Sequence, residues 1–340
     1  MGTASASPTR APNFRAIQFR LAEALSKTTC ADGSPSPTLE IQRSGITEPA
    51  RFARATIIEG RSLVRYAVSG AAEVGFDAFL DGIQASRVLL HDAGIPIVHG
   101  AVSAVVRVRH DRKLTTWRHL AESRVYAPRE CLTPTANSQL EHLGVDVVDT
   151  TPRREDGGID VDAQHPLMLA DVAVHAVQGH REILEQTLAQ AWVGQAIGIL
   201  YVDGGISGVA RIATAANVIG VVKSHRVLYG DASTVRTILS LVEGERSSVF
   251  TIGSLDGRRS PVASWYLRIR DAADRNPLWG LVRVEVAPSS VASDRRIGDR
   301  ADEVSRWILA EAAPLSLPDS RWDTMIYGIR DCEQFLRSIS

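Results

Sequence analysis

The sequence predicts an α/β protein, and three neighbouring stretches carry that expectation. Gly198-Ile199-Leu200-Tyr201-Val202-Asp203-Gly204-Gly205 is an apolar run, rich in β-branched and aromatic residues, that stops at an acid and two glycines. It reads as a buried strand. Ahead of it, His180 to Trp192 sets Ile183, Leu184, Leu188 and Trp192 at helical spacing on one face. Behind it, Ile219-Gly220-Val221-Val222-Lys223-Ser224 is a second apolar strand, closed by a lysine. An earlier strand, Phe76 to Gly82, also ends in Asp-Gly. These elements are expected to converge on one site.

Taken in order, Met1 to Pro12 is rich in Ser, Thr, Ala and Pro and is expected to be a disordered tail. Asn13 to Lys27 carries Phe14, Ile17, Leu21 and Leu25 at helical spacing, with Asn13 as N-cap, and opens a helical extension that reaches about Gly70. Ala31 to Thr38 within it is a Pro/Ser-rich linker. From residue 71 on, a single domain is expected. It begins with three strands joined by short turns, 74–81, 86–90 and 98–108, an antiparallel meander. Arg107 to His119 is a basic strand-loop containing Trp117. Residues 128–166 form an excursion with one strand at 144–148. A helix over 165–190 follows, breakable at Gly179, then strands at 198–203, near 208–213 and at 218–223. A short helix at 235–241 precedes strands at 247–252, 263–269 and 279–286. Two helices close the chain, 299–312 with Val304, Trp307, Ile308 and Glu311, and 323–339 with Ile326, Ile329, Phe335 and Leu336 inward. No internal repeat is visible.

At 340 residues the chain can bury a sizeable core. Its 44% apolar and 23% charged residues are ordinary for a globular protein. No apolar run approaches the roughly 20 residues that cross a bilayer. Met1 to Ala11 lacks the apolar segment of a secretory signal. Cys30, Cys131 and Cys332 are far apart without CxxC spacing, as expected of free thiols in a reducing cytoplasm. A net charge of −1 excludes a globally basic nucleic-acid binder but permits a local basic groove.

The candidate chemistry lies in the strand-terminal acids. Asp-Gly also starts ordinary turns, and Asp77 competes with Asp81, but the pattern of apolar strand, acid, glycine and further strand occurs at both Asp81 and Asp203. Glu185 and Glu182 lie on the helix leading into the Asp203 strand. Glu185 is the better candidate because it neighbours the core-facing Leu184 and Leu188. Lys223 reads either as a snorkelling strand end or as a phosphate contact. Hydrolysing a phosphodiester needs a water of lowered pKa and a stabilised leaving oxygen, which two Mg²⁺ or Mn²⁺ ions ~4 Å apart supply. Such hard cations want oxygen ligands, whereas zinc would want His or Cys. The chain has no GxxxxGK[ST], no GxGxxG after a strand and no GxSxG. Arg107, Arg109, Arg112, Lys113 and Arg118, interleaved with Trp117, could track phosphates and stack a base, or form a solvated hairpin. Arg258-Arg259 and Arg295-Arg296 read as surface loop charges.

The ordered set Asp81-Gly82, Arg181 with Glu185, Asp203-Gly204 and Gly220-Val221-Val222-Lys223 resembles the NurA nuclease family over roughly Val74 to Ser340. The resemblance implies an RNase H-like mixed sheet flanked by helices. It also implies a dimeric, manganese-dependent nuclease of single-stranded DNA and duplex ends, partnered by a hexameric HerA-type ATPase. Under it Asp81, Glu185 and Asp203 become metal ligands and Lys223 the phosphate contact. The family's aromatic-Pro stretch and following His are absent from Trp322 to Asp331, where Asp331 or Asp323 stands as the substitute ligand. A competing expectation is a non-catalytic nucleic-acid-binding or scaffold subunit of such a complex. Repair and defence roles stay open.

Overall fold

Residues 18–23, 50–111, 113–154, 156–160, 164–195, 198–253, 259–272, 275–291, 294–312 and 326–339 are described by the computed structural model. The expected tail, the linker over 31–38 and Asp323 lie outside them, as does most of the expected helix over 13–27. Residues 18–23 of that helix are described and helical (α1). The chain divides into two units.

The larger unit comprises 50–83, 104–120 and the residues from 183 onward. Where a helical extension was expected, it has three short strands, β1 (Arg51–Ala53), β2 (Thr56–Ile57) and β3 (Arg65–Ala67). Each pairs with a partner distant in sequence, which local periodicity cannot reveal. The central elements follow: β4 (Ala78–Asp92), β5 (Ile95–His110), β6 (Lys113–Ala127), β8 (Leu200–Asp203), β9 (Val218–Val222), β12 (Phe250–Ile252), β13 (Val262–Arg268) and β14 (Leu281–Val286). Their order is β2-β12-β13-β14-β9-β8-β4-β5-β6, with β11 (Glu245–Ser247) joining β13 to β3 and β10 (Val227–Tyr229) pairing with β1. The β4–β8 and β8–β9 ladders are parallel, whereas β9–β14 and β13–β14 are antiparallel. The sheet is therefore mixed.

One face of this sheet is covered by α6 (Asp294–Ala312) and α7 (Tyr327–Ile339). Helix α6 presents Ile297, Ala301, Val304, Ile308 and Ala312, a stripe of three- and four-residue steps. Helix α7 adds Ile329, Cys332 and Leu336. They bury Phe79, Tyr201, Ile219, Val221, Trp265, Val282 and Val284 from the sheet. Along β13 and β14 every residue is buried, so these strands are central and covered on both faces.

The smaller unit comprises 84–103 and 121–182 together with α1. It holds the remaining parts of β4, β5 and β6, then α2 (Pro134–His142), β7 (Val147–Asp149) and the first part of α3 (Pro166–Gln195). Its core gathers Leu21, Leu89, Leu90, Ile97, Val125, Leu132 and Leu140.

The meander is present but longer than expected. What reads as two strands, 74–81 and 86–90, is one 15-residue strand, and Asp81-Gly82 is not a turn. The first reversal comes at Ala93-Gly94, with φ of 49° and 88°, the two-residue turn whose twist matches a hairpin. Residues 113–119 of the expected basic strand-loop belong to a full strand, 113–127. Helix α3 runs unbroken for 30 residues through Gly179, since one glycine weakens a helix by only about 1 kcal/mol. The strand expected near 208–213 is instead a helical turn, α4 (Ala210–Ala213). So short an apolar run does not distinguish the two states. Helix α2, within the expected excursion, and strand β10 arise where no such element was expected. The others fall where expected, with α5 (Ala232–Leu239) for the short helix and 247–252 split into β11 and β12.

Candidate acidic site

All four residues singled out for chemistry, Asp81, Glu185, Asp203 and Lys223, belong to the larger unit. The parallel register pairs Phe79 with Tyr201 and Leu80 with Val202, so Asp81 and Asp203 follow the last paired residues of adjacent strands, side by side. By strand alternation both continue the face of Phe79 and Tyr201, the face that carries the α6–α7 core. Asp203 is in turn opposite Val221 on β9, and Lys223 stands two residues further along the same face. The Lys223 Nζ donates to Asp203 Oδ2 at 2.8 Å.

Asp81 is 6% exposed and its Oδ1 accepts the Gly82 N–H at 2.8 Å. Burial raises its pKa well above the usual carboxylate range, and the charges of Asp203 and Glu185 push the same way while Lys223 opposes them. Glu185, half-buried on α3, thus acts on the same group. Beneath them the Tyr201 hydroxyl is fully buried and finds no hydrogen-bond partner among the described residues. Burial raises its pKa well up, and Asp203, Glu311 and Asp81 add to that. Asp81 thus feels two further carboxylates, opposed by Lys223, with the orphaned Tyr201 hydroxyl nearby.

As a donor set these all-oxygen groups suit a hard divalent cation, and the chemistry of the residues fits one. Among the described residues, no three acidic, histidine or cysteine side chains close into a ready cage. One oxygen of Asp203 is held by Lys223 instead.

Asp331, the fourth expected ligand, accepts from Arg107 Nε at 2.6 Å. The same guanidinium reaches Thr116 Oγ1, the Leu114 carbonyl and the face of Phe335. Arg109 pairs with the buried Glu311 and lies over Phe79. These two arginines, read from the sequence either as phosphate contacts or as part of a solvated hairpin, are internal ion-pair partners. Trp117 packs edge-on against Trp192, with Arg118 over its ring. Arg112 and Arg258 lie outside the described residues, and Arg295-Arg296 fall in α6, not in a loop.

Sequence reading missed Glu285, a buried acid on β14 next to the turn that follows Asp203. Its signal was present: Leu281-Val-Arg-Val-Glu-Val286 puts two charges inside a strand otherwise wholly apolar.

No protein-family model matches the chain, and no curated protein does. Among solved structures, the crystal structure of the NurA nuclease from Sulfolobus solfataricus superposes with a TM-score of 0.42 at 11% identity, covering 95% of this chain and 89% of that one. At that level of likeness, the reading of the site stands on its own residues.

Proposed function

We propose that this protein is a divalent-metal-dependent nuclease that cleaves DNA at single strands or ends, with Asp81, Glu185 and Asp203 holding Mn²⁺ or Mg²⁺. The observation that carries it is the placement of Asp81 and Asp203 just past the last paired residues of adjacent parallel strands, with Glu185 and Lys223 acting on Asp81. The ions, when bound, supply Lewis-acid stabilisation of the attacking and leaving oxygens. The chain does the rest. Burial of Asp81 keeps its carboxylate poorly hydrated and so inclined toward a cation. Lys223, which now neutralises Asp203, is placed to turn its ammonium toward a phosphate oxygen of the substrate. Asp331, whose carboxylate Arg107 engages, is the candidate for the fourth ligand position.

The test is Mn²⁺-dependent cleavage of labelled single-stranded DNA by the wild type and Asp203→Ala. Loss of several kcal/mol of transition-state stabilisation predicts a fall of about a thousandfold or more. Activity at the wild-type level in purified Asp203→Ala would refute the assignment. A second reading, a nucleic-acid-binding scaffold subunit, is favoured by the engagement of Asp203 by Lys223 and of Asp331 by Arg107. DNA binding without cleavage in any divalent metal supports it. The proposal extends to a homodimer working with a HerA-type ATPase, an expectation that the motif order alone supports and that co-purification from the native host tests.

A further inference from the structure

Beyond Asp203 the chain does not leave the sheet but folds back on it. Gly204 adopts φ 139° and donates its N–H to the Val221 carbonyl at 3.0 Å. The turn then lies directly on Gly220: a Cβ there would stand 2.7 Å from the Gly204 carbonyl oxygen and 2.9 Å from Ile206. Opposite Gly220 in the β9–β14 ladder is Glu285, 2% exposed. Its Oε2 accepts the Ile206 N–H at 2.8 Å, and its Oε1 lies 2.7 Å from Nη1 of Arg283. Arg283 is itself held over the Tyr229 ring. A Cβ on Gly205 would meet Glu285 Oε2 at 3.1 Å, so the turn and the carboxylate are in close contact on that side.

We infer that Glu285 is a positioning residue: it grips the turn over 204–206 and thereby sets where the Asp203 carboxylate points. This role rests on the metal reading of Asp203 proposed above. A buried carboxylate placed solely to balance Arg283 would not need to reach a main-chain N–H on another segment. Positioning, unlike charge balance, depends on reach. Glu285→Asp keeps the charge and withdraws the carboxylate by one methylene. Glu285→Gln keeps the reach and an acceptor oxygen but removes the charge.

The experiment is Mn²⁺ binding to the full chain, followed by the electron paramagnetic resonance signal of free Mn²⁺, with thermal unfolding recorded alongside. Glu285→Asp is expected to weaken Mn²⁺ binding about tenfold, in the range found for groups that orient metal ligands. Glu285→Gln is expected to bind within about twofold of wild type. The opposite order, equal losses in both, or no change in either while wild type binds would overturn the positioning role alone. A wild-type chain that takes up no Mn²⁺ would overturn the metal reading of Asp203, and this role with it.

Discussion

At the scale of single residues, Lys223 decides how the acidic site is held when no cation is bound. Asp81 and Asp203 stand next to each other, and Glu185 adds a third negative charge to the field at Asp81. The Lys223 ammonium opposes that repulsion and bonds Asp203 directly. Both partners of this pair are mostly buried, with 23% and 20% of their side chains exposed, so solvent screens it only in part. Lys223→Met is therefore expected to destabilise the metal-free chain by about 1–2 kcal/mol, less than the loss of a fully buried pair. Mn²⁺ should recover more stability in the variant than in wild type. Thermal unfolding with and without Mn²⁺ checks both. A variant as stable as wild type in chelator contradicts the counter-ion role. The sequence shows a lysine at a strand end but not which acid it faces, because Asp203 lies 20 positions away.

Among the elements, α7 and β4 approach closely two residues ahead of Asp81. Gly328, in the first turn of α7, lies so close to Phe79 that a Cβ there would fall 2.3 Å from its ring. Phe79 is two residues ahead of Asp81 on the same sheet face. Alanine in place of glycine within a helix normally gains about 0.5–1 kcal/mol. Forcing a methyl group into a filled core costs about 1–3 kcal/mol. The steric cost outweighs the helix gain, so Gly328→Ala is expected to destabilise by about 1–2 kcal/mol net. Urea unfolding measures it, and a gain in stability would show that α7 can move away from β4 without cost. The amphipathic stripes of α6 and α7 were legible from spacing. The close approach was not, since a glycine in a helical stretch carries no mark of what faces it.

For the molecule as a whole, His99 in the smaller unit sets one pH limit on stability. Burial, aided by the charge of Arg87, lowers its pKa from 6.5 to about 4. Between those values the unfolded chain binds a proton that the folded chain does not. Stability therefore rises with pH across this window and falls as pH drops from 6.5 toward 4. The ring is only partly buried, so solvent reduces the linkage to on the order of 1–2 kcal/mol by pH 4. His99→Gln should flatten the dependence of melting temperature on pH between 6.5 and 4. An unchanged slope would exclude His99 as its source.

The sequence by itself determined the α/β class, the apolar strands that end at Asp203 and Lys223, and the inward faces of α6 and α7. Each of these is written in local periodicity, over spans where near neighbours in the chain are near neighbours in space. Only the tertiary structure decided that Asp81 continues through a long strand, that Arg107 and Arg109 turn inward to Asp331 and Glu311, and that Glu285 reaches the turn after Asp203. Those outcomes depend on pairing between segments tens to hundreds of residues apart. Burial, not spacing, then selects which charges must find partners.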